Sequence, residues 1–129
     1  MESINIEATP KTPLVNFDPD KGHIELRGRS IPENSLEFYK GLLDWLDQYG
    51  NNPQAVTNVE VQLEYFNTSS SKCILDVFKA LEGIHKKGKT DMTIHWYYEE
   101  DDEDMLEAGG DYEAIVTVPF EKIAIIEEE

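Results

Sequence analysis

The stretch VEVQLEYFNTSSSKCILDVF, residues 59–78, changes its period halfway along. Val59, Val61, Leu63 and Tyr65 alternate with Glu60, Gln62 and Glu64, the two-residue period of a half-buried strand. From about Ser70 the apolar positions Ile74, Val77, Phe78, Leu81 and Ile84 fall at helical spacing, and a helix is expected to run to about Lys87. Between the two patterns lies Asn67, followed by four hydroxyl residues in a row, Thr68, Ser69, Ser70 and Ser71. One such residue suffices to cap a helix, because its side-chain oxygen accepts from a free N–H of the first turn. Four exceed that need.

Outward from this corner the same two periods recur. Leu14 to Phe17 and His23 to Arg27, joined by the turn Asp18-Pro19-Asp20-Lys21-Gly22, form an expected hairpin. Leu36, Tyr39, Leu42, Leu43, Leu46 and Tyr49 predict a first helix, with Asn34 as N-cap and Glu37 as its reciprocal partner. Gly50-Asn51-Asn52-Pro53 ends it. Met92, Ile94, Trp96 and Tyr98 predict a further strand. Residues 1–12 read as a loose arm, and 99–113 as an acidic loop with a short helix stopping near Ala108, before a Gly109-Gly110 break. A last strand is expected from about Ala114 to Ile126, interrupted at Pro119. Strands separated by helices favour parallel neighbours, and strands that alternate leave one sheet face open. The expectation is one α/β domain over 1–129, a mixed sheet of about five strands with two main helices on one face.

The net charge of −16 argues against nucleic acid and anionic membrane as partners, since both would be repelled, and favours a partner with a basic patch. Cys73 is the only cysteine, so no internal disulfide or cysteine zinc site is available. The N-terminus lacks the basic and apolar regions of a signal peptide, and no apolar run reaches the roughly 20 residues needed to span a bilayer. The chain reads as cytoplasmic, which sets aside the glycosylation sequon at Asn67.

Several motifs match by letter alone. Gly83 to Thr90 fits the P-loop pattern, but a P-loop follows a strand and opens a helix, whereas here a helix ends and a strand begins. Gly88 is better read as the residue past the helix C-terminus. Ser69 to Lys72 fits S-x-x-K without the other elements of that chemistry. His23, His85 and His95 are scattered and give neither a triad nor metal-ligand spacing, and His95 belongs on the polar face of its strand. Trp45 and Trp96 read as packing. The run Glu99 to Asp104 offers carboxylates to a divalent cation but lacks the glycine and spacing of a calcium loop. It reads first as a solvated loop, with cation binding the lesser alternative, and no metal site or cofactor is assigned. The hydroxyl run remains. Free helix amides favour a phosphate, and phosphorylation adds about −1.5 to −2 charge with three acceptor oxygens. The residues themselves do not choose among Thr68, Ser69, Ser70 and Ser71. An enzyme using the hydroxyls, or an unmodified acidic interaction module, are the competing readings.

The segments Ser30-Ile31-Pro32-Glu33-Asn34-Ser35 and Tyr65-Phe66-Asn67-Thr68-Ser69-Ser70, each ahead of a helix, resemble the paired signatures of the SiaC family of bacterial regulatory phosphoproteins. Ile94-His95-Trp96-Tyr97-Tyr98 extends the resemblance, which covers roughly residues 10–125. It implies a STAS-like fold and a phosphoacceptor threonine at Thr68. It also implies a partner serine/threonine kinase, a PP2C-type phosphatase, and a diguanylate cyclase activated by the unphosphorylated protein, in biofilm and c-di-GMP signalling. On this reading the chain is a non-enzymatic adaptor. Asn67 positions the loop, Ser69 and Ser70 cap the helix or contact the partner, and Pro32, Glu33 and Asn34 lie nearby.

Overall fold

The order in which strands and helices alternate decides which face of the sheet is covered. A computed structural model describes residues 1–126. Its elements are β1 (Ile4–Ile6), β2 (Leu14–Asp18), β3 (His23–Ser30), α1 (Ser35–Tyr49), β4 (Val56–Phe66), α2 (Thr68–Lys86), β5 (Asp91–Glu99), α3 (Glu103–Ile115) and β6 (Phe120–Ile125). They build a six-stranded sheet in the order β1-β2-β3-β4-β5-β6. The β1–β2 and β2–β3 pairs are antiparallel, and β3 to β6 run parallel, each joined to the next through one helix. Successive crossovers that step in one direction with one hand place their helices on one face. The expected mixed sheet with helices on one face is what forms, with six strands instead of five.

Along β3, β4 and β5 the core side chains are Ile24, Leu26, Val59, Val61, Leu63, Met92, Ile94 and Trp96. The other face stays polar, with Asn16, Glu25, Glu60, His95 and Glu121 side by side in the strand register. His95 sits there as expected, half-buried, with its Nδ1 3.2 Å from the Val59 carbonyl oxygen. Helices α1 and α2 bury Leu42, Trp45, Leu46, Ile74, Phe78 and Leu81 against the core face. Full burial of one such side chain contributes about 1.5–3 kcal/mol.

Four expectations need correction. The arm is not loose throughout: Ile4–Ile6 pairs with β2, and the Trp45 indole N–H donates to the Glu2 carbonyl at 2.8 Å. Helix α2 begins at Thr68, which puts that residue in the first turn. Helix α3 runs straight through Gly109 and Gly110 to Ile115, so the last strand starts at Phe120 and not near Ala114. Tyr65 is not on the buried stripe but 52% exposed, because the pairing of β3 with β4 shifts register between Gly28 and Arg29. Glu64 is the extra residue: Leu63 pairs with Gly28 and Tyr65 with Arg29. Such a bulge reverses the alternation beyond it. Phe66 therefore turns inward, with its ring centroid 6.5 Å from that of Trp96.

The segment between α3 and β6 is fastened to α2 by Glu82. Its carboxylate accepts from the Thr117 N–H at 2.8 Å and from the Thr117 hydroxyl at 3.1 Å. These bonds, the N–H first, hold its pKa below the ordinary 4.5. A lowered carboxylate pKa stabilises the fold above the unfolded value, and the gain is lost as pH falls through the folded one. Wild type should therefore be more stable than Glu82→Gln at neutral pH and lose that margin in acid. Denaturant unfolding of both proteins across a pH series measures it, and a margin independent of pH would contradict the assignment.

Candidate functional site

Two helices begin side by side at the ends of β3 and β4. Asn34 caps α1, its side-chain oxygen accepting from the Glu37 N–H at 3.1 Å. Asn67 caps α2 in the same way, accepting from the Ser70 N–H at 2.9 Å. The Asn67 N–H itself donates to the Ser30 carbonyl at 3.1 Å, which ties the end of β3 to the start of α2.

The hydroxyls between these caps are not equivalent. Ser70 is fully buried and lies 2.9 Å from Ser30 Oγ, which in turn lies 2.6 Å from the Tyr39 hydroxyl. Ser35 is buried at the start of α1, 2.8 Å from Ser69 Oγ and 3.4 Å from Ser70 Oγ. Ser69 also donates to Asn67 Oδ1 at 3.1 Å. Ser71 donates to the carbonyl of Thr68 at 3.0 Å. Thr68 is exposed, and its hydroxyl has no hydrogen-bond partner among the described residues. Of the four hydroxyls in the run, one is free.

The electrostatics favour an anion at that position. In a chain with 27 acidic residues, α2 has none in its first turn. Helix α1 has Glu37 there, and α3 has Glu103 and Asp104. The positive end of the α2 dipole thus has no counter-charge from the first turn of its own helix. Burial pushes the pKa of the Tyr39 hydroxyl up to about 12, so it stays neutral in its contact with Ser30.

The expected site residues separate cleanly. Asn67, Thr68, Ser69 and Asn34 come together around the two helix starts. Ser70, expected as a cap or partner contact, presents no surface, and the capping oxygen belongs to Asn67. Pro32 and Glu33 lead into the α1 cap without a hydrogen bond to the Thr68 loop. Ser30, Ser35 and Tyr39 were not anticipated. A signal existed for Ser30, which falls on the inward parity of β3 after Ile24 and Leu26, where a hydroxyl requires a buried partner.

Beside Ser71 a groove of about 340 Å³ opens between α2 and α3, lined by Phe66, Lys72, Leu75, Ala108 and Ile115 among others. The Tyr112 hydroxyl crosses its floor to donate to the Ser71 carbonyl at 2.9 Å. The acidic run lies at the start of α3: Asp102 is the N-cap, accepting from the Met105 N–H at 3.0 Å, and Glu103 and Asp104 complement the dipole. No three His, Cys, Asp or Glu among the described residues are grouped to hold a metal ion. The apparent P-loop marks the end of α2, where Gly88 takes a φ of 73° and donates to the His85 carbonyl. No helix among the described residues is long and apolar enough to cross a membrane.

Comparison with known proteins matches this architecture over nearly the whole chain. The structure of apo-SiaC from Pseudomonas aeruginosa superimposes with a TM-score of 0.86 at 29% identity, covering 96% of this chain and 100% of that one. SiaC from the same organism, in a crystal structure with the diguanylate cyclase SiaD that it activates, gives 0.88 at 29% identity, covering 95% and 99%. An uncharacterised protein of P. aeruginosa strain UCBPP-PA14 is 29% identical over 120 residues, 93% of this chain and 94% of that one. The model of the SiaC family regulatory phosphoprotein matches residues 6–125. The chain belongs to the SiaC family of regulatory phosphoproteins.

Proposed function

We propose that this protein is a non-enzymatic adaptor whose docking surface is gated by phosphate on Thr68. The observation that carries the reading is the free hydroxyl. Ser69 and Ser71 each give their proton to a neighbour and Ser70 is buried against Ser30 and Ser35, while Thr68 stands exposed at the start of a helix without a first-turn acid. A phosphate there meets unsatisfied N–H groups and the helix dipole, so it adds charge at the surface without unfolding the helix. The unmodified form docks on a diguanylate cyclase, a reading supported by the complex that SiaC of P. aeruginosa forms with the diguanylate cyclase SiaD. A serine/threonine kinase and a PP2C-type phosphatase set the phosphate level, and the chain works in the cytoplasm.

The surface offered to a partner is mixed. Leu36, 75% exposed, follows Ser35 at the start of α1, and Tyr65 precedes the α2 cap. These exposed apolar side chains and the polar Asn34, Asn67 and Ser69 belong to the segments that open the two helices, and apolar and polar groups together are what a docking surface uses. Among the described residues neither a histidine nor a carboxylate is hydrogen-bonded to the hydroxyls of the run, and an activated nucleophile requires such an adjacent base.

Phosphosite mapping by mass spectrometry of the protein from its native host tests the address. The expected result is a phosphopeptide modified at Thr68 and missing in Thr68→Ala. Phosphate on Ser71, or on no residue of the run under any growth condition, would overturn it.

A further inference from the structure

We infer that the buried hydroxyls form a one-way hydrogen-bond chain that carries the state of Thr68 to the first turn of α1, with Ser35 and Ser69 as its positioning residues. This rests on the reading of Thr68 as phosphoacceptor and deepens it.

The direction of the chain follows from proton counting, since each hydroxyl has one proton to give. Asn67 Oδ1 is acceptor only, so Ser69 donates to it. With its proton committed, Ser69 must accept from Ser35 across the 2.8 Å contact. Ser35 is then committed, so in the 3.4 Å contact Ser70 is the donor. Ser30 donates to Ser70, which leaves Tyr39 to donate to Ser30. The sequence is Tyr39 to Ser30 to Ser70 to Ser35 to Ser69 to Asn67. It runs from the core of α1, through the start of α2, back to the first turn of α1, and ends on the residue before Thr68. Ser35, Ser70, Ser30 and Tyr39 are all buried, so water does not compete for these bonds.

A phosphate on Thr68 changes the far end of this chain. It adds three strong acceptor oxygens on the residue before Ser69, whose proton now goes to the neutral amide oxygen of Asn67, and one of them must come within reach of Ser69 Oγ. A hydrogen bond to an ionised acceptor is shorter and roughly twice as strong as a neutral one. When Ser69 turns its proton to the phosphate it becomes a better acceptor for Ser35, and the polarisation passes to the next members. Asn67 Oδ1 keeps the Ser70 N–H. Ser35 is the first residue of α1, so the tightening arrives where the Glu37 and Phe38 N–H groups are held by Asn34. The exposed Leu36 lies between those positions. The switch thereby acts on both helix starts, and not only on the one that bears the phosphate.

The test uses the full chain with phosphothreonine at position 68, assembled by ligation at the single Cys73 and refolded. Amide hydrogen exchange is read at Glu37 and Phe38 with and without the phosphate. The expected result is exchange about threefold slower or more in the phosphorylated chain. The response should vanish in Ser69→Ala and return in Ser69→Thr, which restores the hydroxyl at an exposed position. Ser35→Ala should abolish it too, with Ser69→Ala keeping the test valid if that buried change impairs folding. No response in wild type, or an equal response in Ser69→Ala, overturns the inference. Because the phosphate is placed by synthesis, this outcome is independent of whether the host modifies Thr68, which phosphosite mapping decides separately.

Discussion

Gly109→Ala is expected to lower the stability of this protein by about 2 kcal/mol, and Gly110→Ala, one position on, to raise it by about 0.5–1 kcal/mol. Both residues lie inside α3, and neither has positive φ, so backbone strain is not the issue. Alanine is the better helix former by about 1 kcal/mol, which alone favours both substitutions. Space separates them. A Cβ on Gly109 would sit 2.6 Å from Trp96 Cδ1 and 2.7 Å from Trp96 Nε1. The nearest atom to a Cβ on Gly110 is Lys122 Nζ, at 3.9 Å. The Trp96 ring has nowhere to go. It is fully buried, donates from Nε1 to the Met105 carbonyl at 2.9 Å, and packs among Phe66, Phe78, Tyr112 and Phe120. Overpacking of that kind costs typically 1–3 kcal/mol and outweighs the gain in propensity. Urea unfolding midpoints of the two variants, compared at unchanged m-value, should shift in opposite directions. Shifts of the same sign would mean that α3 is not seated on Trp96 as described.

The same two glycines show why part of the fold was not legible in the sequence. A Gly-Gly pair ordinarily weakens a helix, so a break was the better reading of residues 103–115 from local preference. What overrides it is a contact with Trp96, on a strand that local preference does not see. Strand β1 was missed for a different reason: Ile4, Asn5 and Ile6 are too few to display a period, and their order comes from pairing with Val15, Asn16 and Phe17. Tyr65 was assigned to the buried face because alternation was carried through a bulge that no local residue announces. By contrast β3, β4, β5, α1 and α2 were legible, because each buries a whole face and must show its period.

The site divides along the same line. The Asn caps and the excess of hydroxyls are local, and both were visible. Which hydroxyl stays free is not local. Ser69 and Ser70 are engaged by Ser35, and Ser70 also by Ser30, residues 34 to 40 positions earlier in the chain. Only folding brings them within reach of α2. The resemblance to a family implied Thr68 as phosphoacceptor, and the proposed role of Thr68 draws its support from the bonds of its three neighbours.

Phosphate on Thr68 is expected to weaken docking on the proposed cyclase partner by about 100-fold or more, close to 3 kcal/mol at tenfold per 1.4 kcal/mol. The group adds about −1.5 to −2 charge at the exposed start of α2, on the surface proposed to dock, where a docked partner must exclude water. Like charges brought together, or a charge stripped of water without a counter-ion, cost several kcal/mol in such an interface. Thr68→Asp carries a single charge on a shorter side chain with two oxygens, so its loss should be smaller, on the order of tenfold. Thr68→Ala removes a hydroxyl that is exposed and bonded to no described residue, and its affinity should stay within about twofold of wild type. Titration calorimetry of the four forms against the cyclase gives the ranking directly. Salt separates the two causes of the loss. A Coulombic penalty shrinks as ionic strength rises and the Debye length falls from about 10 Å at 0.1 M to about 3 Å at 1 M, whereas a steric one persists. Equal affinity for wild type, Thr68→Asp and the phosphorylated chain would sink the gating role of Thr68, whatever the phosphosite map shows.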